Sequence, residues 1–198
     1  MSALRFAAVT TLALLIAACS DASTRSSPTS TAPSLADRQG ADGIDLDAAD
    51  HGDARVVRMR DACDPATFDA ALQDPNACTR NGNVTFDHFV AELTKLQYAP
   101  QWRFDPAVVE LDPHRDLLAL NRGGEVHTFT RVAKFGGGIV PLLNNLSGNR
   151  VAAPECLTLE ADDFVAPGAT YTAELSTEHL QHFQCCIHPW MRADVRMR

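Results

Sequence analysis

From Gln101 to Arg198 the chain reads as a succession of short strands: "QWRF", "AVVEL", "DLLALN", "VHTFTRV", "TYTAEL", "HFQCC" and "ADVRM". Turn signals stand between them at Asp105-Pro106, Asp112-Pro113, Asn121-Arg122-Gly123-Gly124 and Pro167-Gly168. Gly and Pro end strands because one permits and the other forces backbone angles that a ladder cannot use. Short strands with frequent turns predict an antiparallel sandwich or barrel. One stretch breaks the texture. Residues 135–163 hold Gly136-Gly137-Gly138, two prolines and Cys156, and read as a long loop insertion over one end of the sandwich.

Upstream the texture is helical. Asp64 and Pro65 form a cap and first-turn pair, and from Thr85 onward Phe86, Phe89, Val90, Leu93 and Leu96 recur at helical spacing. Residues 56–100 are therefore expected to be a small helical extension packed on the domain at 101–198. Cys63 and Cys78 bracket the first helix, and a bridge between them would contribute on the order of 3 kcal/mol by restricting the unfolded chain.

The N-terminus belongs to neither part. Arg5 precedes an apolar run from Phe6 to Ala18, too short to span a membrane, and small residues lead into Cys19. Residues 1–18 read as a signal peptide. Ile16-Ala17-Ala18-Cys19 resembles a bacterial lipobox, which implies acylation of Cys19. The following stretch is rich in Ser, Thr, Asp, Ala and Pro with almost no large apolar residue, so it cannot offset its chain entropy. A lipidated flexible tether over 19–55 is expected, placing the protein on the periplasmic, extracytoplasmic side of a bacterial membrane. Disulfides persist in such a compartment. The net charge of −8 argues against a nucleic-acid binder, which would normally show a basic face.

The chain ends on "FQCCIHPWMR", Phe183 to Arg192. A thiolate, an imidazole and a thioether three residues apart are a soft ligand set that suits copper. A cysteine, two histidines and a weak axial methionine make an electron-transfer copper site. The second histidine is expected from His127 in "NRGGEVHTFT", which starts a strand after a glycine turn. Competing readings are zinc, a binuclear copper site, a vicinal disulfide, and purely structural side chains. His51, His88, His114, His179 and His182 have no partner motif and read as solvated or capping residues.

Cys185-x-x-His188-x-x-Met191, with Pro189, Trp190 and Arg192, resembles the ligand loop of the cupredoxins of the plastocyanin and amicyanin type. "LLALNRGGEVHTFT" is similar to the segment that provides their first histidine. The resemblance covers roughly residues 102–198. It implies a mainly β, Greek-key cupredoxin-like sandwich and one copper ion cycling between Cu(I) and Cu(II), with His127, Cys185, His188 and Met191 as metal ligands. It also implies a surface electron port at His188, Pro189 and Trp190. Alternation along "HFQCC" puts Phe183 and Cys185 on one face and Cys186 on the other. Cys185 is then the metal ligand, and Cys186 is expected to pair with Cys156, one of three pairings that four cysteines allow. The expected function is a membrane-tethered one-electron carrier, a monomer and not an enzyme, meeting redox partner proteins transiently. Copper storage or delivery, or a docking subunit of an oxidoreductase, are the alternatives.

Overall fold

The computed structural model describes residues 54–198; the signal peptide, Cys19, the tether before residue 54 and His51 lie outside the described residues. Among the described residues eight strands form two four-stranded sheets. They are β1 (Arg55–Arg60), β2 (Arg103–Asp105), β3 (Val108–Leu111), β4 (Leu117–Asn121), β5 (Thr130–Val132), β6 (Thr170–Thr172), β7 (Leu180–Gln184) and β8 (Arg192–Met197). One sheet has the order β2-β1-β4-β6, the other β3-β8-β7-β5. The mainly β sandwich follows the sequence expectation, but the sheets are mixed where antiparallel pairing was expected. β1 runs parallel to β4, and β3 parallel to β8.

Alternation decides which side chains face inward. In β1, Val57 and Met59 are fully buried between flanking arginines. In β8, Ala193 and Val195 point inward the same way. Phe104 of the first sheet meets Phe129 edge-on at 5.0 Å, and Phe129 stacks on Phe183 of the second at 4.6 Å. These rings close the space between the sheets. Burying one such side chain contributes roughly 1.5–3 kcal/mol.

The segment 56–100 is not only a helical extension. Its first residues form β1, an interior strand hydrogen-bonded to both β2 and β4. Three arginines in "RVVRMR" hide the strand, because only alternate positions carry its apolar face. The helices follow as expected: α1 (Pro65–Leu72) is capped by Asp64 and α2 (Phe86–Leu96) by Thr85, each side chain accepting from an N–H in the first turn. Cys63 is bonded to Cys78 across α1.

The 135–163 insertion contains α3 (Pro141–Leu146) and two short 3-10 turns, Pro154–Leu157 and Ala161–Asp163. It is fastened to the end of β7 in two ways. Cys156 is bonded to Cys186. Beside the bridge, the Ile139 N–H donates to the Cys186 carbonyl at 2.7 Å. A side chain at Gly138 would meet that carbonyl oxygen at 1.8 Å, so the close approach needs glycine.

Candidate metal centre

Cys185 follows β7 directly, and the strand's alternation carries it to the same side as Phe183, into the main core. Cys186 lies in a separate small cluster with Val132, Ala153 and Cys156. Among the described residues Cys185 is the free cysteine, and it is fully buried. The loop after it closes tightly. The Met191 N–H donates to the His188 carbonyl at 2.9 Å, and the Cys185 N–H to the Met191 carbonyl at 3.0 Å. His188 and Met191 are both buried as a result.

His127 arrives from the other end of the chain fold. After β4, Asn121 pins the glycine turn: its side-chain amide donates to the Glu125 and Val165 carbonyls, and its oxygen accepts from the Gly123 N–H. Asp61, next after β1, accepts from the Gly124 and Glu125 N–H groups at 2.8 and 3.1 Å. A side chain at Gly123 would overlap that carboxylate at 1.9 Å. His127 is held by a two-way bridge with Val165 rather than within the strand "VHTFTRV" the sequence predicts, since regular pairing starts only at Thr130.

The result is a convergence. Nδ1 of His127 and Nδ1 of His188 each lie 3.8 Å from the Cys185 sulfur. Among the described residues these three form a group whose ligand atoms are close enough to share one ion. The spacing fits a bridging metal. Even at zinc-like bond lengths of about 2.3 Å to sulfur and about 2.1 Å to nitrogen, the two bonds together exceed that separation, so one ion could be held by all three donors. The Thr128 and His188 N–H groups each point at the same sulfur at 3.4 Å, as suits a thiolate. A second close group, Asp61, Cys63 and Glu125, offers no such site because Cys63 is in a disulfide.

Electrostatics match the geometry. Burial alone would raise the Cys185 thiol, but hydrogen bonds from His127 and His188 and their charges hold it well below the ordinary thiol range. Burial alone would lower His127; the Asp61 carboxylate and the Cys185 sulfur overcome it and raise the imidazole to about 10. Asp61 is held down against burial by His127 and the two backbone donors. Glu125 is pushed up by burial, with His188 opposing. Both shifts run toward an imidazolium at His127 beside a thiolate at Cys185.

The sequence did not point to the outer carboxylates. Asp61 Oδ2 is 2.9 Å from His127 Nε2, and Glu125 Oε2 is 3.6 Å from His188 Nε2. Trp102 donates its indole N–H to Glu125. Glu125 stands within the quoted histidine segment and could have been singled out. Asp61 lies 66 residues from its partner, and no local signal marks it.

The expected electron port is corrected. His188 is 2 % exposed and Pro189 is buried; only Trp190 is partly open to solvent. Phe89 of α2 meets the His188 ring edge-on at 6.5 Å, and Trp190 meets it at 5.5 Å. The helical segment, absent from the motif that carried the expectation, covers the imidazole. An apolar groove of ≈ 210 Å³ between α1, α2 and α3 ends on His188. The remaining described histidines stay outside the centre, His182 against Asp194 at 2.7 Å and His88 near Glu92 at 3.7 Å.

No family model matches the chain, and no curated protein matches it. Among solved structures it is similar to a purple cupredoxin from Nitrosopumilus maritimus, at 13% identity and a TM-score of 0.37, over 50% of this chain and 86% of that one. It is also similar to oxidised plastocyanin from Dryopteris crassirhizoma, at 13% identity and a TM-score of 0.36, over 73% of this chain and all of that one. A mutant of amicyanin in its Cu(I) form gives 14% identity and a TM-score of 0.34, over 50% of this chain and 76% of that one. Likeness of this degree is partial, and the reading of the centre rests on the convergence of His127, His188 and Cys185.

Proposed function

We propose that this protein is a one-electron carrier with a mononuclear type 1 copper site, tethered through Cys19 to a membrane on its extracytoplasmic side. The observation that carries the reading is the pair of imidazole nitrogens at 3.8 Å from a single buried, unbridged cysteine sulfur. His127, Cys185 and His188 would hold the ion, with Met191 as a further, weaker ligand. Copper bound by such a set supplies reversible one-electron exchange and has no need of a substrate position.

The protein's own residues supply rigidity and dryness. Two disulfides fasten the chain near the centre, one to α1 and one to the insertion. Backbone N–H groups fix the sulfur, and Phe89 of α2 packs against the His188 ring. Enclosure of this kind favours a resident metal over one passed to a client, so delivery is the weaker reading. With His188 covered, exchange with a partner would run through Trp190, the partly exposed ring beside it. Partners of carriers meet through small, transient interfaces.

The test is to load the purified protein with one equivalent of copper, record its visible spectrum, and cycle it between oxidant and reductant. An intense visible band that returns undiminished over many cycles is expected. No such band, or copper lost on reduction, overturns the reading. Cys19→Ser should move the protein from the membrane to the soluble fraction, and an unchanged distribution would remove the anchor.

A further inference from the structure

Resting on the reading of the centre as a copper site, we propose that Asp61 is a positioning residue of that centre. Its carboxylate holds His127 with the proton on Nε2, turns Nδ1 toward Cys185, and sets a lower reduction potential than the ligands alone would give.

The geometry is that of a metal-ligating histidine with an outer carboxylate. Asp61 Oδ2 lies 2.9 Å from His127 Nε2, with the two side chains 1 % and 0 % exposed. The carboxylate already accepts from the N–H groups of Gly124 and Glu125, and more distantly from that of Cys63 at 3.4 Å. An acceptor-only carboxylate requires the facing ring nitrogen to be a donor, which leaves the lone pair of a neutral imidazole on Nδ1. Nδ1 is the atom that faces Cys185.

The charge has a second effect. A buried anion one imidazole away from a metal favours its more positive state, and little water screens the interaction. The oxidised form is therefore favoured. Asp61 comes from the segment after β1 rather than from the ligand loop, so the N-terminal part of the fold tunes a centre whose ligands lie elsewhere.

Asp61→Asn keeps the shape and an acceptor oxygen but removes the charge. The visible band should persist, while the oxidised-to-reduced ratio at a fixed ambient potential falls at least about tenfold, a rise of about 59 mV for one electron. An unmoved potential with an unmoved band overturns the role. A second measurement does not depend on the variant folding. In the nitrogen-15-labelled, diamagnetic Cu(I) form of the full chain, His127 should show a slowly exchanging proton on Nε2. A ring without that proton, or one exchanging as freely as dissolved imidazole, also overturns it. Absence of the visible band from the unmodified protein would remove the copper reading and Asp61's role with it. A banded protein that fails either Asp61 test removes that role alone.

Discussion

Cys185 and Cys186 are adjacent and equally buried, yet one faces two imidazoles and the other a disulfide partner. Cys185→Ser is expected to abolish the visible copper band. Cys186→Ser should keep it, lose on the order of 3 kcal/mol of stability and leave Cys156 as a titratable thiol. Visible spectra, thiol counts and denaturant midpoints check both, and bleaching by Cys186→Ser instead would reverse the assignment. Strand alternation made this distinction legible, because a one-residue step changes face whatever the side chain. The same rule could not find Asp61, whose contact with His127 depends on how β1 and the glycine turn meet in space. That contact shapes the pH response of the metal-free protein. His127, raised from 6.5 to about 10, adds stability that is complete below 6.5 and is lost as pH rises through about 10. Cys185, lowered from 9.0, adds stability that is complete above 9.0 and is lost as pH falls through its folded value. Below 9.0, and above 6.5 for as long as the folded Cys185 stays ionised, the two slopes cancel, since the folded pair and the unfolded pair then each carry one proton. Denaturation of the metal-free protein should show a plateau there and a decline above it. In metal-free Cys185→Ser the decline should instead begin above about 6.5, the ordinary imidazole value; an unchanged plateau would contradict the pairing.

Helix α2 covers the loop from Cys185 to Met191 that the sequence alone leads one to expect at the surface. Its periodicity was plain in the sequence, and so was its cap at Thr85. What it covers was not, because amphipathic spacing states that a helix buries a face without stating against what. Phe89 sits where the helix, Trp102, Trp190 and His188 meet, with ring centroids 4.6, 6.0 and 6.5 Å away respectively. Phe89→Ala should cost about 3–5 kcal/mol, the usual range for deleting a buried aromatic ring. It should also open His188 to water while leaving all the proposed ligands in place. The expected signature is a retained visible band with copper removed faster by a chelator. If chelation were no faster, α2 would have only a packing role. The insertion was similarly half legible. Its irregular composition and its Cys156–Cys186 bridge were readable, but the backbone approach of Gly138 to Cys186 beside that bridge is one that no spacing reveals.

The two sheets enclose one core that begins at Arg55, not at Gln101, and this changes where the protein can be cut. β1 pairs with β2 on one side and β4 on the other, so its removal would leave two unpaired edges inside a sheet. It would also take away Val57 and Met59, both fully buried and each contributing roughly 1.5–3 kcal/mol. Losing 54–100 removes more still: Asp61 behind His127, the Cys63–Cys78 bridge, and the Phe89 ring against His188. Native domains are stable by only about 5–15 kcal/mol, so these losses together exceed what the remainder can bear. A chain of residues 54–198 is therefore expected to be soluble, cooperatively folded and able to take one copper. A chain of residues 101–198, which carries every proposed ligand, is expected to be neither folded nor coloured. Far-ultraviolet circular dichroism and copper stoichiometry on the two fragments decide the matter. A folded, copper-binding 101–198 fragment would restore the boundary the sequence implies and reduce β1 to an accessory strand.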